Sequence, residues 1–488
     1  MKQYFKNQYL WLPFSVLVTI CSFWMISQFY FDNDGWFILT NGRYILENGI
    51  PLKNPFTFIP DLDIVIQQWL WSVLLYWGFD KIGAWWIAAV VMLMYALSLF
   101  LFLKISHVQG LRVNKALPFG TVCLLLMSSF LNMRPTFVTI ILLLWQVYIL
   151  EKYKLDGKWK NLLWLIVISL LEINFHSAIW IFHFIFMMPY IVPEIPNPWI
   201  RFKKYNFSRK PLYVMMLPMF MVGFLNPYGV RGMLYLFYSY GKELRLAGIK
   251  ELMAPATDNI GLILLPLILI CTVWTWHNRN YYIPSSFFYI LCGTGILSLS
   301  HTRNAVYFML GFLLFGIWIM KTVHITGKRL HRLTMPIFTL AVILFGISIF
   351  PSGINHISET PKITDTSITP LDAVEYFNEN HIAKDSRIYT NFNCGGFIEW
   401  YGYKSFMDPR PELYFKSLNG KMDVFSDYNT IRKTYDTDKL RDFIEKYDFE
   451  WMIVDNNEPL SLYLSMNNRG VEIKKGNGYK IFQIWKGE

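Results

Sequence analysis

The chain has 488 residues, 54% of them hydrophobic and 16% charged, with a mean hydropathy of +0.31. Soluble domains carry roughly 25% charged residues, so this composition excludes an ordinary soluble globular protein. The net charge of +11 does not point to nucleic acid either, because the Lys and Arg residues sit in short segments between apolar runs, where orienting a membrane protein requires them.

In chain order, the first apolar run is Leu10 to Tyr30, 21 residues without a charge. It exceeds the about 7–15 residues of a signal-peptide core and reads as a retained transmembrane helix. A helix needs about 20 apolar residues to cross the hydrocarbon core. Eleven runs are candidate spans: 10–30, 85–103, 116–131, 136–150, 161–173, 177–193, 211–225, 260–276, 284–300, 304–320 and 333–350. The stretch 66–79, which opens on Gln67-Gln68-Trp69, reads as an interfacial or re-entrant helix. With the N-terminus inside, the inner segments hold 19 Lys and Arg residues, against 9 in the outer loops up to residue 350. That asymmetry fits a cytoplasmic N-terminus in a multi-pass protein of the plasma (inner) membrane.

After residue 350 the composition changes. Residues 352–369 are polar and read as a linker, and 370–488 as a soluble extracytoplasmic α/β domain. Helices are expected at Leu371 to Asn380 and Lys439 to Tyr447. Strands are expected at Arg387 to Thr390, Trp451 to Val454 and Tyr479 to Trp485, short and apolar. The division is therefore a membrane domain over 1–351, with a long first outer loop at 31–84, followed by linker and soluble domain. Four of the five cysteines lie in apolar runs, and Cys394 alone does not; no disulfide framework or metal cluster is expected.

The polar residues with chemical potential gather in the outer segments. Asp32 and Asp34 follow the first span. They serve either as a general base or divalent-cation ligands, or as a hydrated pair marking the helix end. Trp36 to Leu46 reads as a short helix carrying Arg43, and Gly49 to Pro60 as an ordered, turn-rich loop. Arg134 and Arg303 either bind phosphate or snorkel to headgroups. Glu172 lies inside an apolar segment, where an ionisable residue marks function by default; His176 is either its functional neighbour or a satisfied interfacial histidine. Asn226-Pro227-Tyr228-Gly229 opens an outer loop that also holds Glu243, Arg245, Glu251 and Asp258. In the last domain Gly395-Gly396 implies a tight turn or close backbone approach. Asp408 and Arg410 form either a structural ion pair or a loop that contacts donor or acceptor.

The run DNDGWFILTNGRYILENGIPLKNPFTF, followed by QQWLWSVLLY, resembles the first outer loop of bacterial integral-membrane proteins similar to the GT-C superfamily of polyprenyl-phosphate-sugar-dependent glycosyltransferases. In that group the loop reads Asp-X-Asp-X-Trp-Trp, a Gly-Arg-X-Ile-Leu helix, Pro-X-X-(Asn/Asp)-Pro-Phe and His-Glu-Trp-Leu. Asp32/Asp34, Gly42-Arg43 and Asn54-Pro55-Phe56 match. Gln67-Gln68 departs, standing where His-Glu is commoner. Further matches are Arg134-Pro135, Asn174-Phe175-His176, Asn226 to Gly229, Arg303-Asn304, Gly395-Gly396 and Asp408-X-Arg410.

The resemblance implies a GT-C-like helical membrane protein with about eleven spans. It implies an inverting transferase that moves a sugar from a polyprenyl-phosphate (undecaprenyl-phosphate-type) donor to a cell-surface glycan, lipid or protein. Asp34 or Asp32 would be the base, with a divalent cation on the same pair if one is used. Arg134, Glu172, His176, Arg303, Gln68, Arg43, Asn226, Asp408 and Arg410 would contact donor or acceptor. The rival readings are a flippase for a lipid-linked glycan, which calls for ionisable residues at mid-membrane, and a non-catalytic assembly protein, which the Gln67-Gln68 departure leaves open.

Overall fold

In lipid a backbone must satisfy its own hydrogen bonds, which favours helices wherever apolar runs are long. Every expected span up to residue 320 coincides with a helical segment. The structure is a computed structural model that describes residues 2–27, 33–131, 133–239, 259–323, 370–467, 469–476 and 478–485. The expected span 333–350, the linker 352–369 and the loop residues Glu243, Arg245, Glu251 and Asp258 lie outside the described residues.

The principal helices are α1 (Lys2–Ser27), α2 (Asn33–Asn48), α3 (Trp69–Ile82), α4 (Ala84–Val108), α5 (Val113–Leu126), α6 (Thr136–Asp156), α7 (Trp164–Phe175), α8 (Phe182–Ile191), α9 (Lys210–Met221), α10 (Asn259–His277), α11 (Ser285–Ser300) and α12 (Ala305–Thr322). The expected number of about eleven spans is not matched by helix length. Among the described residues three helical stretches are long and apolar enough to cross a membrane: Ala84–Val108, Thr136–Asp156 and Thr302–Thr322. Of the other apolar helices α1 has 26 residues and α10 has 19, and the rest are shorter. Proline inside several of them (Pro118 in α5, Pro189 in α8, Pro218 in α9) removes backbone donors, and short 3₁₀ turns flank α7 and α8.

The chain divides into two compact units. The first comprises Met1–Phe29, Trp85–Met233 and Gly248–Ile357. At its centre is α12, buried at every residue from Ala305 to Ile319. A helix apolar all round belongs in a core, and α11 and α5 pack against it. Thr19 of α1 meets Thr121 of α5 through a 2.9 Å hydroxyl–hydroxyl bond.

The second unit joins Tyr30–Ala84 and Leu234–Ala247 to Ser358–Glu488. The segment expected as the first outer loop therefore packs with the C-terminal segment, where the sequence reading grouped it with the spans. The reason is apolar: Trp36 of α2 lies in one buried cluster with Val374, Phe377, Phe397, Trp451 and Ile481. Helices α2 and α3 lie so close that a Cβ on Gly42 would stand 2.1 Å from the Ser72 carbonyl oxygen. Loop 49–60 adds a strand-like bridge from Thr57 to Ser405.

The rest of this unit is a four-stranded sheet of β1 (Ile388–Tyr389), β2 (Trp451–Asp455), β3 (Gly470–Lys475) and β4 (Tyr479–Ile484), in the order β1-β2-β4-β3. β1 runs parallel to β2, and the remaining pairs are antiparallel. Helices α13 (Leu371–Glu379), α14 (Gly395–Trp400), α15 (Val424–Ile431), α16 (Thr437–Tyr447) and α17 (Pro459–Met466) complete it. The close approach expected at Gly395-Gly396 is present: a Cβ on Gly395 would lie 1.8 Å from the Met407 carbonyl oxygen.

Candidate functional site

In the first unit, Glu172 on α7 is fully buried and bonded on both oxygens. Thr139 of α6 donates to Oε1 at 2.6 Å, and His183 Nε2 of α8 lies 3.2 Å from Oε2. His176 follows α7 directly, and its Nδ1 lies 2.7 Å from the Thr139 hydroxyl. A buried carboxylate is tolerated when it is paired and hydrogen-bonded, and this one is. Arg303 is half-buried in the turn between α11 and α12, within electrostatic reach of the His176 ring. Arg134, also half-buried, stands just before α6. The structure thus brings together Glu172, His176 and Arg303 of the expected set. Asn226 organises its own turn instead: Nδ2 donates to the Gly223 and Gly229 carbonyls and Oδ1 accepts from Tyr228 N.

A second buried ionic group lies at the other end of α6. The Glu151 carboxylate accepts from Gln109, Tyr190 and Ser286 and pairs with Lys154 at 2.8 Å. Lys154, counted in the sequence among inner loop charges, is a buried helical residue here.

In the second unit, Asp34 is half-buried in the first turn of α2, where a carboxylate complements the helix dipole. Asp32 lies outside the described residues. Among the described residues no three His, Cys, Asp or Glu side chains stand together as a metal cage. Arg43 of α2 donates to the Trp400 carbonyl at 2.6 Å and lies over the Trp400 ring, capping the C-terminal end of α14. Gln68 is buried ahead of α3, with no hydrogen-bond partner for Oε1 among the described residues.

Asp408 and Arg410 form a buried, forked ion pair. Arg410 donates from Nε to Oδ1 at 2.8 Å and from Nη2 to Oδ2 at 2.6 Å. The Arg410 backbone N–H and the Tyr414 hydroxyl also donate to this carboxylate. Glu399 of α14 sits behind the pair, taking the Ser405 hydroxyl at 2.6 Å. Burial, and then the Asp408 charge, push the Glu399 carboxyl well above its ordinary range. Four donors thus converge on the Asp408 carboxylate.

Sequence reasoning passed over Thr139, Gln146, His183, Asn41 and Glu399. One signal was present for the first three: Thr139 and Gln146 are seven residues apart in an apolar run, as are His176 and His183, a spacing that returns to the same helix face.

No family model matches the chain, and no curated protein matches it. Solved structures do. AglB, the archaeal oligosaccharyltransferase of Archaeoglobus fulgidus, in complex with an inhibitory peptide and a dolichol-phosphate, matches with a TM-score of 0.60 at 11% identity. The match covers 98% of this chain and 75% of that one. The apo form of the Archaeoglobus fulgidus oligosaccharyltransferase matches with a TM-score of 0.57, at the same identity and coverage. At that identity the likeness is one of fold alone: the chain has the fold of the archaeal oligosaccharyltransferase.

Proposed function

We propose that the protein is a GT-C-type inverting glycosyltransferase. It moves a sugar from a polyprenyl-phosphate donor to a cell-surface glycan, lipid or protein on the extracytoplasmic face. The observation that carries this reading is the fold shared with an oligosaccharyltransferase over nearly the whole chain. That neighbour was solved with a dolichol-phosphate and an inhibitory peptide, which supports a lipid-phosphate donor and a separate acceptor here.

In this reading Arg134 and Arg303 hold the phosphate, as guanidinium groups suit its geometry. Asp34, or Asp32, takes the proton of the acceptor hydroxyl as its oxygen attacks the anomeric carbon. The bond to the polyprenyl phosphate breaks, and the lipid phosphate leaves with the bonding pair. Gln68, Arg43, Asp408 and Arg410 belong to the unit that contains Asp34, and Arg43 and the Asp408–Arg410 pair hold its helix.

The test is lipid extraction from the purified full-length protein, followed by mass spectrometry. Polyprenyl phosphate or its sugar ester should co-purify with wild type and be depleted several-fold in Arg134→Ala/Arg303→Ala. Equal recovery from both would contradict the phosphate-binding role.

One observation favours the flippase reading: buried polar groups lie near both ends of α6, Glu172 and His183 of the neighbouring helices beside Thr139, and Glu151–Lys154 on α6 itself. Both groups are fully hydrogen-bonded, which suits fixed electrostatics better than a passing cargo.

A further inference from the structure

Five side chains form one hydrogen-bonded line through the helical unit. Gln146 Nε2 donates to the His183 backbone carbonyl at 2.7 Å, and Gln146 Oε1 lies 2.5 Å from His183 Nδ1. His183 Nε2 meets Glu172 Oε2, Glu172 Oε1 takes the Thr139 hydroxyl, and the Thr139 oxygen meets His176 Nδ1. Gln146, Glu172 and His183 are wholly buried, as is Thr139, and His176 is 5% exposed.

Donor and acceptor inventory fixes the protons along this line. A backbone carbonyl only accepts, so the amide nitrogen of Gln146 faces it and the amide oxygen faces His183 Nδ1. His183 Nδ1 therefore carries hydrogen. One further proton lies between His183 Nε2 and Glu172 Oε2, on whichever atom binds it more tightly. Thr139 has one hydroxyl hydrogen, and it is given to Glu172. The Thr139 oxygen must then accept from His176, which places a hydrogen on His176 Nδ1. A neutral imidazole with hydrogen on Nδ1 has a bare Nε2. Among the described residues nothing hydrogen-bonds to that nitrogen, while the Arg303 guanidinium stands within electrostatic reach of the ring.

We infer that the Gln146–His183–Glu172–Thr139 line locks His176 as the Nδ1–H tautomer, so that its bare Nε2 accepts a hydrogen bond from a ligand hydroxyl beside an arginine suited to phosphate. The ligand chemistry is a hydroxyl close to a phosphate, as in a lipid-linked sugar phosphate. The identity of the ligand rests on the transferase reading, but the tautomer lock does not. Thr139 is a positioning residue here, acting through His176.

The test is nitrogen NMR of the full-length protein in detergent, labelled with ¹⁵N-histidine, with the His176 signals identified by their loss in His176→Gln. Wild type should show a neutral ring protonated on Nδ1. Thr139→Ser keeps the hydroxyl and should leave that signature unchanged. Thr139→Val should release the ring to the Nε2–H form. A wild-type ring protonated on Nε2, or on both nitrogens, overturns the lock, as does a Thr139→Val spectrum identical to wild type. Addition of polyprenyl-phosphoglucose or polyprenyl-phosphomannose should then shift Nε2, and bare polyprenyl phosphate should not. The same shift from the sugar esters and the bare phosphate overturns the hydroxyl contact. The expected tautomer with no shift from any lipid establishes the lock and overturns the lipid-sugar reading instead.

Discussion

Arg410 donates from Nη1 to Oδ1 of Asn41 at 3.1 Å, a bond between residues 369 positions apart in the chain. The same guanidinium is forked onto Asp408 and flanked by the rings of Phe37 and Phe56. Asn41 and Phe37 are on α2, seven and three residues after Asp34, so the helix face that begins at Asp34 is the one held by Arg410. The ion pair thus ties the register of the first-loop helix to the C-terminal segment.

Removing one partner of a buried pair leaves an uncompensated charge, at a cost of about 3–5 kcal/mol. Arg410→Ala is expected to lower the thermal midpoint of the detergent-solubilised protein by that equivalent. Arg410→Lys recovers only part of it, since an ammonium cannot reproduce the planar fork. Thermal unfolding followed by tryptophan fluorescence checks this, and an Arg410→Ala midpoint equal to wild type would be inconsistent with the tie.

Glu399 gives the second unit a pH dependence. Its folded-state carboxyl is raised, first by burial and then by Asp408. A raised acid binds its proton in the folded state where the unfolded chain has already released it. Its stabilising contribution is therefore complete below the ordinary value of 4.5 and is lost as pH rises through the raised folded value. Glu399→Gln mimics the protonated acid and should flatten the fall in thermal midpoint over that window. Superimposable wild-type and variant pH profiles would argue that Glu399 is ionised throughout.

Much of this architecture was readable in advance, and the reason is local. Expected spans such as 85–103 and 304–320 are continuous apolar runs, and the helix at Lys439 to Tyr447 and the strand at Trp451 to Val454 follow regular burial patterns. The edge strand Gly470–Lys475 was missed because it is polar and largely exposed, with few core-facing side chains to mark it. The polar groups were legible only as isolated residues. Nothing in the neighbourhood of Asn41 or Glu399 in the sequence announces a shared partner in Arg410, because those contacts arise from tertiary packing. Lys154 was misplaced for a related reason: a lysine just past an apolar run looks like a loop charge until its Glu151 partner is seen one turn back.

That second ionic group makes its own prediction. Glu151→Ala leaves the Lys154 ammonium buried beside Ser286 and the rings of Tyr190 and Tyr205, costing about 3–5 kcal/mol. Glu151→Leu/Lys154→Met removes both charges and should recover most of that loss in the same thermal assay. A double variant no more stable than Glu151→Ala would show that the remaining hydrogen bonds, and not the charge, govern this end of α6.

The most direct measurement of the central claim is mass spectrometry of surface glycans and lipid-linked sugars from three strains: wild type, a deletion of this gene, and Asp34→Ala. The transferase account predicts loss of one sugar from a surface glycan, lipid or protein in the deletion strain, with its polyprenyl-phosphate donor accumulating, and the same pattern in Asp34→Ala or, if the base is its neighbour, in Asp32→Ala. Unchanged glycans and unchanged lipid-linked sugars in the deletion strain would contradict it.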